Sequence, residues 1–257
     1  MTQLINSFQS EWIKKRRSSA AWLTISGAFL IPAILTTKRV IQSETLAAAN
    51  SSPKIWRLLY GQNWQFMSVF LLPMGIILAA SLIAQIEYRN NAWKQVHTTP
   101  QSLTTIFLAK FGVTVIMLVE FFLLFNVGIC LTGIVPAMLF QDVPFPTSDF
   151  PFVPFLQGNS KFFVYCLPIL SFQYLLSIHI RNFMVPIGIG FALLVASLIA
   201  VSWKYGYLIP YTYCSMQFLI HDNRIDPSVN ILFWSTGYFL FFTILNYVLY
   251  LTKRNKG

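Results

Sequence analysis

Glu120 is the residue with the strongest chemical potential inside the long apolar stretches of the sequence. It is the one carboxylate deep within an apolar run, where an ionised group is costly and is by default a functional candidate. Asn126, six residues later and roughly opposite on a helix, is a weaker companion. The alternative is a Glu120 that only packs or hydrogen bonds inside the protein. Because we expect no basic partner at membrane depth, the sequence favours this structural role over an ion path.

Motifs for catalysis and metal binding are missing from the sequence. It contains no GxxxxGK[ST] phosphate loop, so the chain is not expected to hydrolyse ATP alone. It contains no HExxH, and the three histidines lie far apart: His97, His179 and His221. We therefore predict no catalytic residues, no metal site and no cofactor bound by this chain.

The three cysteines, Cys130, Cys166 and Cys214, form no CxxC pair and have no metal-ligand spacing. Two of them lie inside apolar runs, where cysteine behaves as a small hydrophobic residue. The sequence therefore predicts no structural disulfide.

The composition is that of an integral membrane protein. Of the 257 residues 56% are hydrophobic and only 10% are charged, whereas a soluble domain carries about 25% charged residues. So few charges cannot cover a water-facing surface. The net charge of +10 does not indicate nucleic-acid binding, because the basic residues stand in short clusters beside apolar runs, as the positive-inside rule places them.

Hydropathy predicts an all-α, polytopic membrane protein with six transmembrane helices in a single domain over residues 1–257. About 20 residues cross the hydrocarbon core. The predicted spans cover residues 18–37, 64–86, 105–135, 161–181, 182–203 and 231–251. The third is longer than one bilayer requires, so it tilts or projects, and the proline-rich stretch 136–159 predicts an irregular loop.

Residues 1–17 predict an amphipathic helix at the membrane interface. Leu4, Ile5, Phe8, Trp12 and Ile13 recur at helical spacing. The residues expected to anchor it among the lipid headgroups are Trp12, Lys14, Lys15, Arg16 and Arg17. The alternative is a frayed terminus with chance periodicity.

The polar segment 87–104 between the second and third spans is open to two interpretations. Glu87 to Gln95 could form a short helix parallel to the membrane, ended before Pro100, which would give a partner protein a lever. It could equally be an ordinary interfacial connector anchored by Trp93 and Lys94.

Basic residues predict the orientation. With six spans, one side would hold 11 of the 18 Lys and Arg residues, together with both termini. The positive-inside rule therefore places both termini in the cytoplasm.

Three segments give the chain a resemblance to a known family. They are "SFQSEWIKKRRSSAAWL" at the N-terminus, "EYRNNAWKQVHTTPQSLTTIFLAK" between spans two and three, and "YLIPYTYC" at 207–214. The chain resembles the permease subunits of type-2 ATP-binding-cassette (ABC-2) exporters, and within them the bacitracin and lantibiotic self-protection group.

The resemblance implies a function that the residues alone do not. Residues 1–17 would be the family's elbow helix, and a cytoplasmic coupling helix at roughly 87–98 would contact the ATPase through Glu87, Arg89, Trp93 and Lys94. Separate ATP-binding subunits would carry ATP and Mg, and a second permease subunit, identical or not, would complete the transporter. The substrate would be a peptide antibiotic or another amphiphile, and the location a bacterial inner membrane. The route would lie between the permeases, along Asn63, Gln65, Ser68 and Ser81 of span two and Ser197 and Ser202 of span five, with 204–230 in an external gate.

Two other classes remain as alternatives. An intramembrane protease or lipid-modifying enzyme would need clustered ionisable residues, and Glu120, Asn126 and His179 are scattered. A secondary transporter using Glu120 would show inverted repeats and helices broken near mid-membrane. Prolines interrupt several spans, but the two halves show no repeat.

Overall fold

A computed structural model describes residues 2–42, 46–89, 102–146, 148–219 and 229–252. Within these ranges the regular elements are helices. Their bounds are α1 Thr2–Arg16, α2 Ser19–Ile41, α3 Leu46–Asn50, α4 Ile55–Phe66, α5 Leu72–Arg89, α6 Leu103–Leu139, α7 Phe152–His179, α8 Met184–Ala200, α9 Tyr213–Leu219 and α10 Ile231–Thr252. The all-α prediction is confirmed for this part of the chain.

Among the described residues, five helices are long and apolar enough to cross a membrane: α2, the continuous Ile55–Ile86 unit of α4 and α5, α6, α7 and α10. The predicted fifth span corresponds to α8, whose 17 residues rise only about 26 Å, less than the roughly 30 Å of hydrocarbon. The structure therefore supports a multi-pass membrane protein with five such helices and one shorter apolar helix.

Two helices begin more than two turns before the spans predicted within them. The second span was expected to begin at residue 64 and the fourth at 161, but the helices begin at Ile55 and Phe152. The stretch 136–159 is correspondingly helical at both ends. Hydropathy missed these turns because packing holds them: Leu59 and Phe155 are buried in the same core cluster.

A π-helical turn, Met67–Leu71, joins α4 to α5. Pro73 follows it and has no N–H to donate to the carbonyl of Val69, four residues earlier. In a π-turn the backbone hydrogen bonds join residues five apart rather than four apart, and the helix is wider there. The second long helix is therefore continuous but distorted at this point.

Long helices that follow one another in the sequence run in opposite directions. Helices α2 and α6 run the same way, because Gly27 lies beside Phe121 and Thr36 donates to Thr132 over 3.3 Å. The α4–α5 unit and α7 also run parallel, with Trp64 stacked on Phe162 at 4.0 Å between ring centroids near one end. The largest buried cluster lies between these two helix pairs.

After α8 the chain turns back into the bundle. Two short 3₁₀ turns, Gly206–Leu208 and Pro210–Thr212, lead into α9. Tyr211 and Cys214 in this stretch are buried, at 3% and 0% exposure. Residues 206–219 therefore pack against the other helices rather than lying outside them.

Candidate functional site: a charged α1–α6 interface and a neutral polar core

The buried face of α1 is polar, whereas its exposed face carries apolar residues. Ser7 and Lys15 are only 5% and 3% exposed, and Glu11 lies between them at helical spacing. Leu4, Ile5 and Ile13 are exposed on α1. Gln3, Asn6, Gln9 and Ser10 are also exposed, so the outer surface of α1 is mixed, as expected for a helix at the boundary between lipid and water.

Glu11 connects α1 to the first part of α6. Its carboxylate accepts from Lys110 Nζ at 2.8 Å and from Lys14 Nζ at 2.6 Å. The Lys110 side chain is 5% exposed and that of Glu11 is 13% exposed. Breaking such a buried pair by removing one partner typically costs about 3–5 kcal/mol, so Glu11 holds α1 against α6.

Lys15 makes the second ion pair, with Glu120 of α6. Its ammonium also lies 4.4 Å from the centre of the Trp12 ring, a cation–π contact. The expectation that Glu120 has no basic partner at membrane depth is therefore wrong. The sequence missed this pair because 105 residues separate its members, and only the packing of α1 brings them together.

The Lys15–Glu120 pair changes the role expected of Lys15. Lys15 was expected to anchor α1 in the headgroup layer, but it is buried against Glu120. Lys14 is paired with Glu11. Arg16 and Arg17 are exposed where α1 ends. Of the four basic residues, these two are the ones whose side chains are exposed.

Asn126 does not accompany Glu120. Its side chain donates to the Phe122 carbonyl at 2.7 Å and accepts from Asn159 of α7 at 2.9 Å. Asn126 therefore links α6 to α7, and Glu120 links α6 to α1. The structure separates the two residues that the sequence had grouped.

The pKa of Glu11 is lowered from its ordinary value. Burial raises the pKa of Glu11, but the charges and hydrogen bonds of Lys110 and Lys14 outweigh it and lower the pKa overall. The carboxylate is therefore ionised at neutral pH and the Glu11–Lys110 attraction is present.

Two of the four predicted coupling residues lie beyond the described part of the chain. Trp93 and Lys94 fall outside the described residues. Glu87 and Arg89 belong to the last turn of α5, so this end of the predicted coupling helix continues the second long helix without a break. On the other side of the segment, Ser102 caps α6 by accepting from the Thr105 N–H at 3.1 Å.

A neutral polar cluster joins α5, α7 and α8 inside the bundle. Its centre is Gln173, fully buried, whose amide donates to Ser81 at 3.2 Å and to the Pro186 carbonyl at 2.8 Å. Ser81 also bonds Ser177 at 3.2 Å. A Cβ on Gly190 would lie 2.6 Å from the Gln173 carbonyl oxygen, so the glycine makes room for this cluster.

Sequence reasoning selected Ser81 but missed Gln173. The available signal was its position as an uncharged amide within an otherwise apolar run of α7. Of the other residues predicted to line a route, Asn63, Ser68 and Ser197 are buried, while Gln65 and Ser202 are exposed.

Residues 206–219 contact α7 through Tyr211 and Cys214, among other residues. The Tyr211 hydroxyl lies 3.5 Å from the Gln173 carbonyl oxygen. The Cys214 and Cys166 Sγ atoms are 3.4 Å apart as free, fully buried thiols. His221 lies outside the described residues, and His179 bonds the Leu175 carbonyl at 2.9 Å.

No group of three or more metal-ligating side chains occurs among the residues that the structure describes. The charged interface is a set of ion pairs, and the Gln173 cluster is neutral. This arrangement holds helices in place and offers no nucleophile with an adjacent base.

One family model matches the chain. The model is described as an ABC-2 family transporter protein and matches residues 7–197. The matched region contains the charged α1–α6 interface and the Gln173 cluster of α5, α7 and α8. No curated protein matches the chain, and no solved structure does.

Proposed function

The chain belongs to the ABC-2 family of transporter membrane proteins, and from this premise we propose that it is the permease of an ATP-driven exporter. Membership makes it a transporter permease rather than an enzyme, and it implies ATP-binding partner subunits. We propose that two permease subunits pair, that the partners supply ATP and Mg, and that the cargo is a peptide antibiotic or a similar amphiphile. Export is the direction for such a cargo because it removes the compound from the cell's own membrane.

The charged α1–α6 interface is the observation that supports a permease driven by separate ATP-binding subunits. The segment 90–101 follows α5 directly and precedes α6. Glu11 and Glu120 join α1 to α6 at two heights. A push delivered by an ATPase to residues 87–98 would therefore reach α6 and carry α1 with it.

The location and orientation belong to the same proposal. Both termini and the 87–98 segment would face the cytoplasm of a bacterium, where ATP is available. Residues 206–219 would then lie on the opposite side, close to Gln173 through Tyr211, and their movement would open the external end of the route.

The ion pair of Glu120 with Lys15 counts against the enzyme and secondary-transporter alternatives. Both depended on Glu120 as an available intramembrane carboxylate. Its pairing with Lys15 supports a structural role instead, and its expected companion Asn126 bonds Asn159.

The deciding experiment isolates the tagged chain from native membranes in mild detergent, with and without Trp93→Ala and Lys94→Ala. We expect a near-stoichiometric ATP-binding subunit to purify with the unchanged chain. In the double variant we expect the subunit to be lost, or its ATP hydrolysis to continue without transport. Trp22→Ala is the matched control, because Trp22 is 74% exposed on α2, away from the segment.

Two results would contradict the proposal. One is a chain that purifies alone yet transports its cargo. The other is unchanged coupling in the double variant, which would reduce residues 87–98 to an ordinary connector.

The external gate has its own test. Because Cys166 and Cys214 lie 3.4 Å apart, an added oxidant such as copper phenanthroline should remove two electrons and two protons and join them in a disulfide. We expect transport to stop and to return with a thiol reductant. A Cys166→Ser variant, which cannot form the bond, should keep transporting in the oxidant; a disulfide that forms in the unchanged chain without loss of transport would exclude the gate.

A further inference from the structure

We propose that the cavity between α2, α5 and α6 holds one acyl chain of an anionic phospholipid whose headgroup is bound by Arg16 and Arg17. This inference concerns a lipid that stays with the protein, and it does not depend on which cargo is exported. It rests on the cavity's lining, its depth and the charge at its nearer end.

The cavity has a volume of about 290 Å³ and an almost wholly apolar wall. Residues of four helices line it, among them Leu23, Gly27, Leu71, Gly75, Met117 and Leu170. Smaller apolar cavities, of about 150 Å³, remain dry and bind benzene. A larger apolar space at membrane depth is therefore suited to hydrocarbon and not to water.

The hydroxyl groups on the wall are turned to their own helices. Thr24 donates to the Ala20 carbonyl at 2.9 Å, and Ser26 donates to the Trp22 carbonyl at 2.8 Å. Thr114 donates to Lys110 in the same way, at 2.9 Å. With its hydroxyl protons engaged, the wall offers little to a polar ligand.

Local helix distortion creates the space. The π-turn Met67–Leu71 forms part of the wall, and π-turns occur frequently at functional sites. Gly75 follows shortly after, and a Cβ there would meet no atom within 4 Å. The cavity is therefore built by the backbone and by a glycine, so a side chain at position 75 would occupy it.

The part of the cavity nearer to Arg17 lies at the depth of one leaflet of a bilayer. Leu23 and Leu30, both on the wall, lie six and thirteen residues beyond Arg17, which is roughly 9 and 20 Å along α2. One leaflet's share of the hydrocarbon core is about 15 Å. A lipid with its phosphate at Arg17 therefore has its acyl chain at the level of the cavity.

The positive charge of Arg16 and Arg17 favours a lipid with an anionic headgroup. Arg16 and Arg17 are exposed, while Lys14 and Lys15 are engaged by Glu11 and Glu120. Clustered Arg side chains at the membrane surface attract anionic lipids, and the guanidinium group binds phosphate in a bidentate manner. A phosphatidylglycerol molecule meets both requirements.

The test uses the complete transporter in phosphatidylcholine bilayers that contain a small fraction of phosphatidylglycerol with a diazirine midway along one acyl chain. After illumination, labelled peptides are quantified and normalised to α10, whose Phe233 and Phe241 are exposed. We expect labelling to concentrate on residues 23–30 and 70–79. Gly75→Leu should lower it at least fivefold.

Gly188→Leu is the matched control, since a Cβ at Gly188 also meets no atom within 4 Å and its helix α8 does not line the cavity. It should leave the labelling unchanged. Replacing Arg16 and Arg17 together by Gln should lower labelling by the phosphatidylglycerol probe to the level given by a phosphatidylcholine probe with the same chain.

A measurement on the unchanged chain covers the case in which the variants fail to fold. Unlabelled phosphatidylglycerol should compete away the cavity labelling, whereas the same amount of phosphatidylcholine should not. Labelling spread evenly over the helices, labelling that resists this competition, or equal labelling of well-folded Gly75→Leu and Gly188→Leu would each overturn the proposal.

Discussion

The two halves of α6 contact neighbouring helices through different kinds of interaction. The first half binds α1 through buried charges, with Lys110 on Glu11 and Glu120 on Lys15. The second half binds α2 by close contact: a Cβ on Gly128 would lie 2.7 Å from the Pro32 ring. One interface is specified by charge and the other by shape.

This difference has a mechanical consequence. An ion pair between long side chains can follow a small displacement, because its atoms move with the helices. A glycine against a proline ring cannot, since close-packed interiors transmit strain instead of absorbing it. The α2–α6 contact is therefore expected to stay rigid, while α1 is held firmly but can be released by removing charge.

The largest expected effect comes from Glu11→Gln. The change removes the carboxylate shared by Lys110 and Lys14, and loss of one partner of a buried pair costs about 3–5 kcal/mol. We expect α1 to become sensitive to protease and the thermal unfolding midpoint of the purified complex to fall. A double variant, Glu11→Gln with Lys110→Gln, should regain part of the loss; no recovery would show that shape rather than charge holds α1.

Gly128→Leu tests the packed half. The new side chain has no room beside Pro32, and overpacking typically costs about 1–3 kcal/mol. Gly61→Leu is the control, because a Cβ at Gly61 meets no atom within 4 Å. We expect a lower unfolding midpoint for the first variant only, with partial recovery when Pro32→Ala is added. Equal effects would remove the contrast between the two halves.

Glu120→Gln should have a smaller effect than Glu11→Gln. The Glu120 side chain is 34% exposed, against 13% for Glu11, and an ion pair contributes less as its members become more exposed. Lys15 also keeps its contact with Trp12. We expect normal membrane insertion and near-normal export in vesicles, and loss of export at normal protein levels would return Glu120 to a direct role.

Acid should loosen the charged half and leave the packed half intact. The pKa of Glu11 is lowered in the folded protein, so its stabilising effect is complete above the ordinary Glu pKa of about 4.3 and disappears as the pH falls through the lowered value. Protease cleavage within α1 should therefore rise below about pH 4. The Glu11→Gln variant should lack this dependence, and a parallel rise in that variant would assign the effect to other groups.

The sequence determined the class of the protein. The deficit of charge and the long apolar runs required lipid-facing helices, since backbone groups in hydrocarbon must bond within their own segment. The four-residue spacing of Leu4, Phe8 and Trp12 identified α1 as a helix, and the matching of residues 7–197 agrees with the family resemblance.

Only the tertiary structure decided which polar residues meet. Lys15 and Glu120 are 105 positions apart, and Gln173 reaches Ser81 across 92; no periodicity along one helix relates residues at such separations. Asn126 was named as a weaker companion of Glu120 because both lie in the same apolar run; the sequence shows that a residue lies in a span but not which neighbour that face of the helix will contact. The rotation of each helix about its axis is set by packing, as at Gly128 and Gly190, and packing is a property of the assembled bundle.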